Sequence, residues 1–425
     1  MKLIVLAIAV LMYVLVIVFP KKKAWITLGA GLVILITGAV SPWTAISQLI
    51  NWNVLMIYVG SLAIAELFLY SRVPILIADV IVSKSPNAGI AIVAILIMTG
   101  FISAFVENVA TVLVMAPIAL ALCKKLKIDP TYFMVGLAVM ANLQGTATLV
   151  GDPPSMIFAS FAGYTFNDFF ISGGKISIFF FVQIGMIAGA LFFYAYFAKI
   201  GKEKVVVDDK EKYLSLFPTV LLILMIIGLA LSSFVPGDLH FFSGSLVMIL
   251  GIIGIFWFRF TRKESDENTV KLIKGLDWET IAFLIGIFVV IGSVASTGIL
   301  EDFAGFLSGI IGGNVLAGFV IIIVVSVVLS GFIDNVPYII VMLPVASSLA
   351  QGLGLKPELY MFALLIGSCL GGNLSPFGAS ANIVAMGILK KNGVTLTFPG
   401  WLKIGLPFTL ITTFASVIVL WFVWK

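Results

Sequence analysis

The chain has 425 residues, of which 61% are hydrophobic and 11% charged, whereas ordinary soluble domains run at roughly 45–50% apolar and about 25% charged. That balance excludes a soluble globular fold. The net charge of +5, from 25 Lys+Arg against 20 Asp+Glu, lies in short clusters between long uncharged runs, the pattern of a polytopic helical membrane protein and not of a nucleic-acid-binding surface. Two cysteines in apolar surroundings, Cys123 and Cys369, give no disulfide framework, and the single histidine, His240, gives no metal-binding cluster.

A helix needs about 20 mostly apolar residues to cross ~30 Å of hydrocarbon. Ten segments meet this: 3–19, 24–41, 53–70, 131–163, 176–198, 215–234, 241–258, 278–298, 359–389 and 401–423. The first is expected to be a span and not a cleaved signal peptide, because its flank is Phe19-Pro20-Lys21-Lys22-Lys23 and not a small-residue cleavage site. Two further apolar pairs, 88–105 with 109–123 and 314–330 with 337–352, surround short polar tips. Their arms are short, which favours re-entrant hairpins spanning 88–123 and 314–352. With the first span running inward, 21 of 25 basic residues, Lys21 to Lys23 among them, fall on the cytoplasmic side. Both termini are then expected outside the cytoplasm.

The sequence repeats itself. Ser103-Ala104-Phe105-Val106-Glu107-Asn108-Val109 recurs as Ser330-Gly331-Phe332-Ile333-Asp334-Asn335-Val336, an offset of 227 that also matches Met115 with Met342, Pro117 with Pro344, Leu143 with Leu370, Gly145 with Gly372 and Gly151 with Gly378. Trp52 and Trp278 match at 226. The expected architecture is an all-α polytopic membrane protein of two inverted repeats, each with five transmembrane helices, a re-entrant hairpin and a helix broken at the midplane. Repeat one covers 1–200, a cytoplasmic linker 201–214 (with Asp208-Asp209), and repeat two 215–425. Inverted repeats with matched broken helices, 131–163 and 359–389 here, are the signature of secondary transporters.

Polar groups interrupt the apolar sequence at the tips Glu107-Asn108 and Asp334-Asn335 and at the breaks 145–154 and 371–382. Irregular backbone at membrane depth is tolerated only when buried in protein or lining a wet cavity. Asp152 before Pro153 reads as an N-cap that starts a half-helix, with Ser380 or Asn382 as the equivalent cap in the second break. Intramembrane carboxylates are costly and usually functional, so Glu107, Asp334 and Asp152 are the candidates for proton or sodium coupling; helix capping is the alternative for each. Asn108, Thr146, Thr148, Gly151, Asn335, Asn373, Ser375, Ser380 and Asn382 are the candidates for substrate binding, with helix packing as the alternative. Glu66 reads as reaching the interface, Pro117 and Pro344 as kinks, and Cys369 as packing.

These residues resemble the ion transporter superfamily, in the branch that holds arsenite efflux permeases, NhaD-type sodium/proton antiporters and the melanosomal P protein. The resemblance is densest over Ser103 to Pro117, Gly145 to Ser155, Ser330 to Pro344 and Gly367 to Gly387. It implies a homodimer in which a scaffold holds a transport domain built of both hairpins and both broken helices, moving as an elevator. Dicarboxylate and citrate carriers of that superfamily place Ser-Asn-Thr at the hairpin tips, where Glu107-Asn108-Val109 and Asp334-Asn335-Val336 stand here.

The leading expectation is a secondary active transporter, a proton-coupled antiporter for a small inorganic ion or metalloid of the arsenite class. Sodium/proton exchange and sodium-coupled uptake of citrate or another dicarboxylate are the alternatives. An enzyme is not expected, since no nucleophile–base pair or metal cluster is visible. No cofactor is called for beyond a sodium ion that the site could bind. The expected partners are the lipid bilayer, the cargo, the coupling ion and a second copy of the chain.

Overall fold

The computed structural model describes residues 2–198, 213–235 and 241–425. Residues 199–212, which carry most of the expected linker with Asp208-Asp209, and His240 lie outside the described residues. The first half of the chain forms α1 (Lys2–Val18), α2 (Lys23–Ile36), the one-turn α3 (Pro42–Thr44), α4 (Trp52–Tyr70), α5 (Val73–Lys84), α6 (Ala88–Ser103), α7 (Asn108–Leu126), α8 (Thr131–Gly145), α9 (Pro153–Ala162) and α10 (Ile178–Phe197). The second half forms α11 (Phe217–Ser232), α12 (Phe242–Phe256), α13 (Asp266–Gly275), α14 (Trp278–Ala295), α15 (Ile299–Ile311), α16 (Val315–Ser330), α17 (Asn335–Gly352), α18 (Glu358–Gly371), α19 (Ser380–Lys391) and α20 (Phe398–Trp424).

Among the described residues, six helices are long and apolar enough to cross a membrane by length and composition: α4, α7, α10, α12 with its extension to Thr261, α14 and α20. The hairpin arm α7 is longer than the sequence suggests, at 19 residues. Its last turn runs through Lys124 and Lys125, so the added length lies beyond the apolar stretch. Conversely α2 is shorter than its apolar run: it ends at Ile36, just before Gly38 adopts φ 72°.

Three short helices and a strand pair go beyond the expected spans. Ser265 caps α13 by accepting from Asn268 N at 3.1 Å, while Asp266 and Glu267 in its first turn and Lys274 in its last complement the helix dipole. The helices α5 and α15 each precede a hairpin. A two-stranded antiparallel pair joins Ile171–Ser172 to Lys175–Ile176. Its tight turn needs positive φ at both central positions, supplied by Gly173 (55°) and Gly174 (76°).

The helices pack in two groups. In one, α2 lies on α14, α4 on α12, and α1 and α11 flank them; in the other, α6 to α10 surround α8 and interleave with α16 to α20. Small residues permit the closest approaches, as is usual where lipid offers no hydrophobic drive between helices. A methyl at Gly60 would sit 2.5 Å from the Val247 carbonyl on α12, and one at Gly286 would meet the Thr27 backbone on α2. Gly60 and Gly286 are 226 residues apart, the spacing of Trp52 and Trp278. Across the second group the exchange is again reciprocal: α7 packs on α19, and α17 on α9.

Candidate functional site

Both breaks fold in the same way. Each turns so sharply that a methyl at Gly151 would lie 2.5 Å from Gly145 O, and one at Gly378 would lie 2.6 Å from Gly372 O. Each is tied across its mouth by a side chain from the following half-helix. Ser155 Oγ donates to Gly145 O and Thr146 O, both at 3.4 Å, and Asn382 Nδ2 donates to Gly372 O and Ser375 O, both at 2.9 Å. Ser155 and Asn382 are themselves 227 apart. Asn142 Nδ2 joins the halves by donating to Asn373 Oδ1 and Asn382 Oδ1 at 2.9 Å each, and Trp401 Nε1 donates to Asn373 O at 2.9 Å.

These bonds revise two readings of the sequence. Asp152 occupies the N-cap position of α9 with extended backbone, yet its carboxylate makes no capping bond. In the second break the N-cap is Ala379, so neither Ser380 nor Asn382 caps α19; Asn382 turns back to hold the break instead. A side chain committed to bridging its own loop cannot also reach the helix N–H groups.

The hairpin tips do use their carboxylates locally. Glu107 accepts from Ala110 N at 2.9 Å and Asp334 from Val336 N at 3.1 Å. Asn108 accepts from Ser103 Oγ at 2.6 Å, and its amide packs against Gly145.

Glu107, Asn108, Asp152, Asp334, Asn335 and Ser380 converge on one cavity of about 40 Å³, together with Lys23, Tyr58, Asn142, Asp277 and Thr280. A single water needs roughly 10–15 Å³ by the same measure, so the space suits one small ion with a water or two. The other expected substrate-binding residues stand behind this surface. Thr146, Thr148, Asn373, Ser375 and Asn382 are fully buried, and their described hydrogen bonds run within the breaks and to neighbouring helices. Gly151 abuts Gly145.

Two side chains that line the cavity escape a linear reading. Lys23, counted among the loop lysines, points its Nζ at Asp334 Oδ2, 2.8 Å away, and over the Phe283 ring at 5.2 Å. Asp277 is a fourth carboxylate; it accepts from Thr280 N at 3.0 Å and from the Tyr58 hydroxyl at 3.2 Å. Its register with Asn51, which caps α4 as Asp277 caps α14, was the available signal. Four carboxylates against one ammonium leave the cavity formally at −3 when all are ionised.

A second, larger space of about 790 Å³ opens between the starts of α4 and α12, the ends of α9 and α11, and the segment 47–51. Its described lining is uncharged, with Gln48, Asn51, Asn53, Ser160, Thr165 and Ser243 among aromatic rings. The vestibule and the cavity are back to back: Ile57 and Leu149 line the former, Tyr58 and Asp152 the latter.

A helical membrane fold whose broken helices and hairpin tips meet at a charged cavity defines a multi-pass membrane transporter, not an enzyme. The chain belongs to the CitMHS family, described as citrate transporter, whose model matches residues 13–367 and 268–425. An uncharacterized transporter of Mycobacterium tuberculosis is 30% identical over 404 residues, covering 94% of this chain and 91% of its own. The human P protein is 24% identical over 403 residues, covering 76% of this chain and 47% of its own. In fold, the chain resembles the YdaH transporter of Alcanivorax borkumensis (TM-score 0.59, 14% identity, 92% and 87% of the two chains). It also resembles MtrF of Neisseria gonorrhoeae, described within a class of antimetabolite efflux pumps (TM-score 0.59, 16% identity, 92% and 83%).

Proposed function

We propose that this chain is a secondary active transporter that exchanges a small monovalent cation for protons at the cavity between Glu107, Asp152, Asp277 and Asp334. The observation that carries this reading is the cavity's composition: four carboxylates and one ammonium around room for one ion. Such a site attracts cations and repels a tricarboxylate, so citrate, the family's descriptive substrate, is the weakest of the cargo readings. The buried amides and hydroxyls of the breaks support the same choice, because their described bonds run within the protein. Asp152 is hydrogen-bonded to Asn108 but makes no capping bond, so of the four carboxylates it is the one held by neither a helix N–H nor the ammonium, and it is the one we assign to an incoming proton or sodium ion.

A second cargo reading, an uncharged trihydroxyl metalloid of the arsenite class driven by protons, is favoured by the vestibule. Its described lining is neutral and polar, which suits a neutral hydroxylated solute.

The working architecture we infer is two inverted repeats, 1–200 and 215–425, related by the reciprocal contacts of Gly60 with α12 and Gly286 with α2. The group containing α6 to α9 and α16 to α19 would move as an elevator against α1, α2, α4, α11, α12 and α14. The homodimer is inferred from the family resemblance, and external termini from the basic residues. Moving Lys23 into the cavity leaves 20 of 25 on the cytoplasmic side.

The discriminating experiment is a thermal-shift and counterflow screen of the reconstituted protein with sodium, lithium, arsenite, antimonite, citrate and succinate. Stabilisation and counterflow by sodium or lithium support cation exchange. Response to arsenite alone selects the metalloid reading, and response only to citrate or succinate overturns both.

A further inference from the structure

We propose that Lys23 is a tethered cation that holds, in the empty site, the position the transported cation takes at Asp334, so that cargo binding displaces the Lys23 ammonium. The inference rests on the cation-exchange reading and assigns it a second residue.

Three observations lead to it. First, the ammonium is placed as a ligand would be: Nζ is 2.8 Å from Asp334 Oδ2 inside the cavity. The pair is not sealed within the packing, since the side chains keep 17% and 32% of their exposure, so a cation in the cavity can approach it. Second, the arrangement is one-sided. Among the described residues Glu107, the repeat counterpart of Asp334, has a backbone N–H partner and no ammonium. A residue serving only to neutralise hairpin tips would be expected at both. Third, Lys23 and Asp334 belong to different packing groups. Lys23 starts α2, which packs on α1 and α14, while Asp334 caps α17, which packs chiefly on α9, α15 and α18 and only lightly on α14. A cation arriving at Asp334 therefore does two things at once: it fills the carboxylate and frees the hairpin tip from α2, leaving the Tyr13 hydroxyl on Pro337 O (2.9 Å) as the remaining described polar link from α1.

The displaced ammonium keeps one partner it already has: the Phe283 ring lies 5.2 Å from Nζ, and cations are attracted to aromatic faces. Asp277 and Glu279, at the start of α14, and Asp152 in the same cavity are other anionic groups whose fields reach it.

The test measures Lys23 itself. Purified protein in nanodiscs is methylated reductively with and without sodium or lithium, and modification at each lysine is read by mass spectrometry. Displacement predicts that the cation accelerates modification of Lys23 while Lys21 and Lys22, both exposed, stay unchanged. In parallel, Lys23→Met is expected to lower the half-saturating sodium concentration by at least about tenfold, and Lys23→Met with Asp334→Asn to reverse the gain. A cation-independent Lys23, or unchanged sodium affinity in folded Lys23→Met, overturns the proposal and marks the pair as a fixed anchor. Should Lys23→Met fail to fold, the labelling of wild type decides. If wild type binds no cation but Lys23→Met does, displacement stands; if neither binds, both this inference and cation exchange fall.

Discussion

The Tyr58 hydroxyl donates to Asp277 at 3.2 Å, and the residue beside it, Ile57, lines the vestibule on the other side. One turn of α4 thus forms part of the wall between the larger, uncharged space and the charged cavity. Tyr58→Phe removes the bond while keeping the ring. It is expected to leave folding intact and to raise the leak of the coupling ion in the absence of cargo, measured as dissipation of a pH gradient in proteoliposomes. Unchanged leak would show that the wall does not depend on this bond.

The two ties across the breaks differ in strength. Asn382 makes two bonds at 2.9 Å and receives a third from Asn142, whereas the single hydroxyl proton of Ser155 is shared between two acceptors at 3.4 Å. Leaving buried polar groups unsatisfied costs roughly 1–3 kcal/mol, so Asn382→Ala is expected to lower the thermal unfolding temperature clearly and Ser155→Ala much less. Equal shifts would mean that the ties carry equal weight.

Close helix contacts should behave as a pair. Gly60→Val and Gly286→Val each force a side chain into facing backbone, and overpacking of that kind costs typically ~1–3 kcal/mol. Both variants are predicted to unfold at lower temperature, while Gly29→Val, where nothing lies within 4 Å, should match wild type.

The carboxylates should separate by role. Asp152→Asn removes a charge without removing a cap and is predicted to abolish coupled flux with little loss of stability. Asp277→Asn retains an N-cap type, so it should fold as well and alter the cation dependence of transport. A large stability loss for Asp152→Asn, read by thermal unfolding, would point to a structural carboxylate instead.

The hairpins and breaks were legible in the sequence because carboxylates, asparagines and glycines stand out in long apolar runs and recur at a fixed offset. The convergence of Glu107, Asn108, Asp152, Asp334, Asn335 and Ser380 on one cavity was not legible. It depends on α7 crossing to α19 and α17 to α9, contacts between residues far apart in the chain. Lys23 and Asp277 were hidden for another reason. Each stands at the start of a helix just after exposed charges, Lys21 and Lys22 in one case and Lys274 at the end of α13 in the other, so a one-dimensional reading sorts them with the surface. The apolar run 24–41 also concealed how short α2 is: in the structure it stops at Ile36, and its 14 residues rise only about 21 Å, too short to begin at one membrane surface and end at the other. Short helices such as α13 and α15 escaped because the search for 20-residue apolar runs passes over them.

Exchange of cations for protons through the four-carboxylate cavity is read in radiolabelled sodium or lithium uptake into proteoliposomes under an opposing proton gradient. Uptake that collapses with the gradient and falls at least about tenfold in folded Asp152→Asn is the predicted result. Uptake indifferent to both the gradient and Asp152 would contradict it.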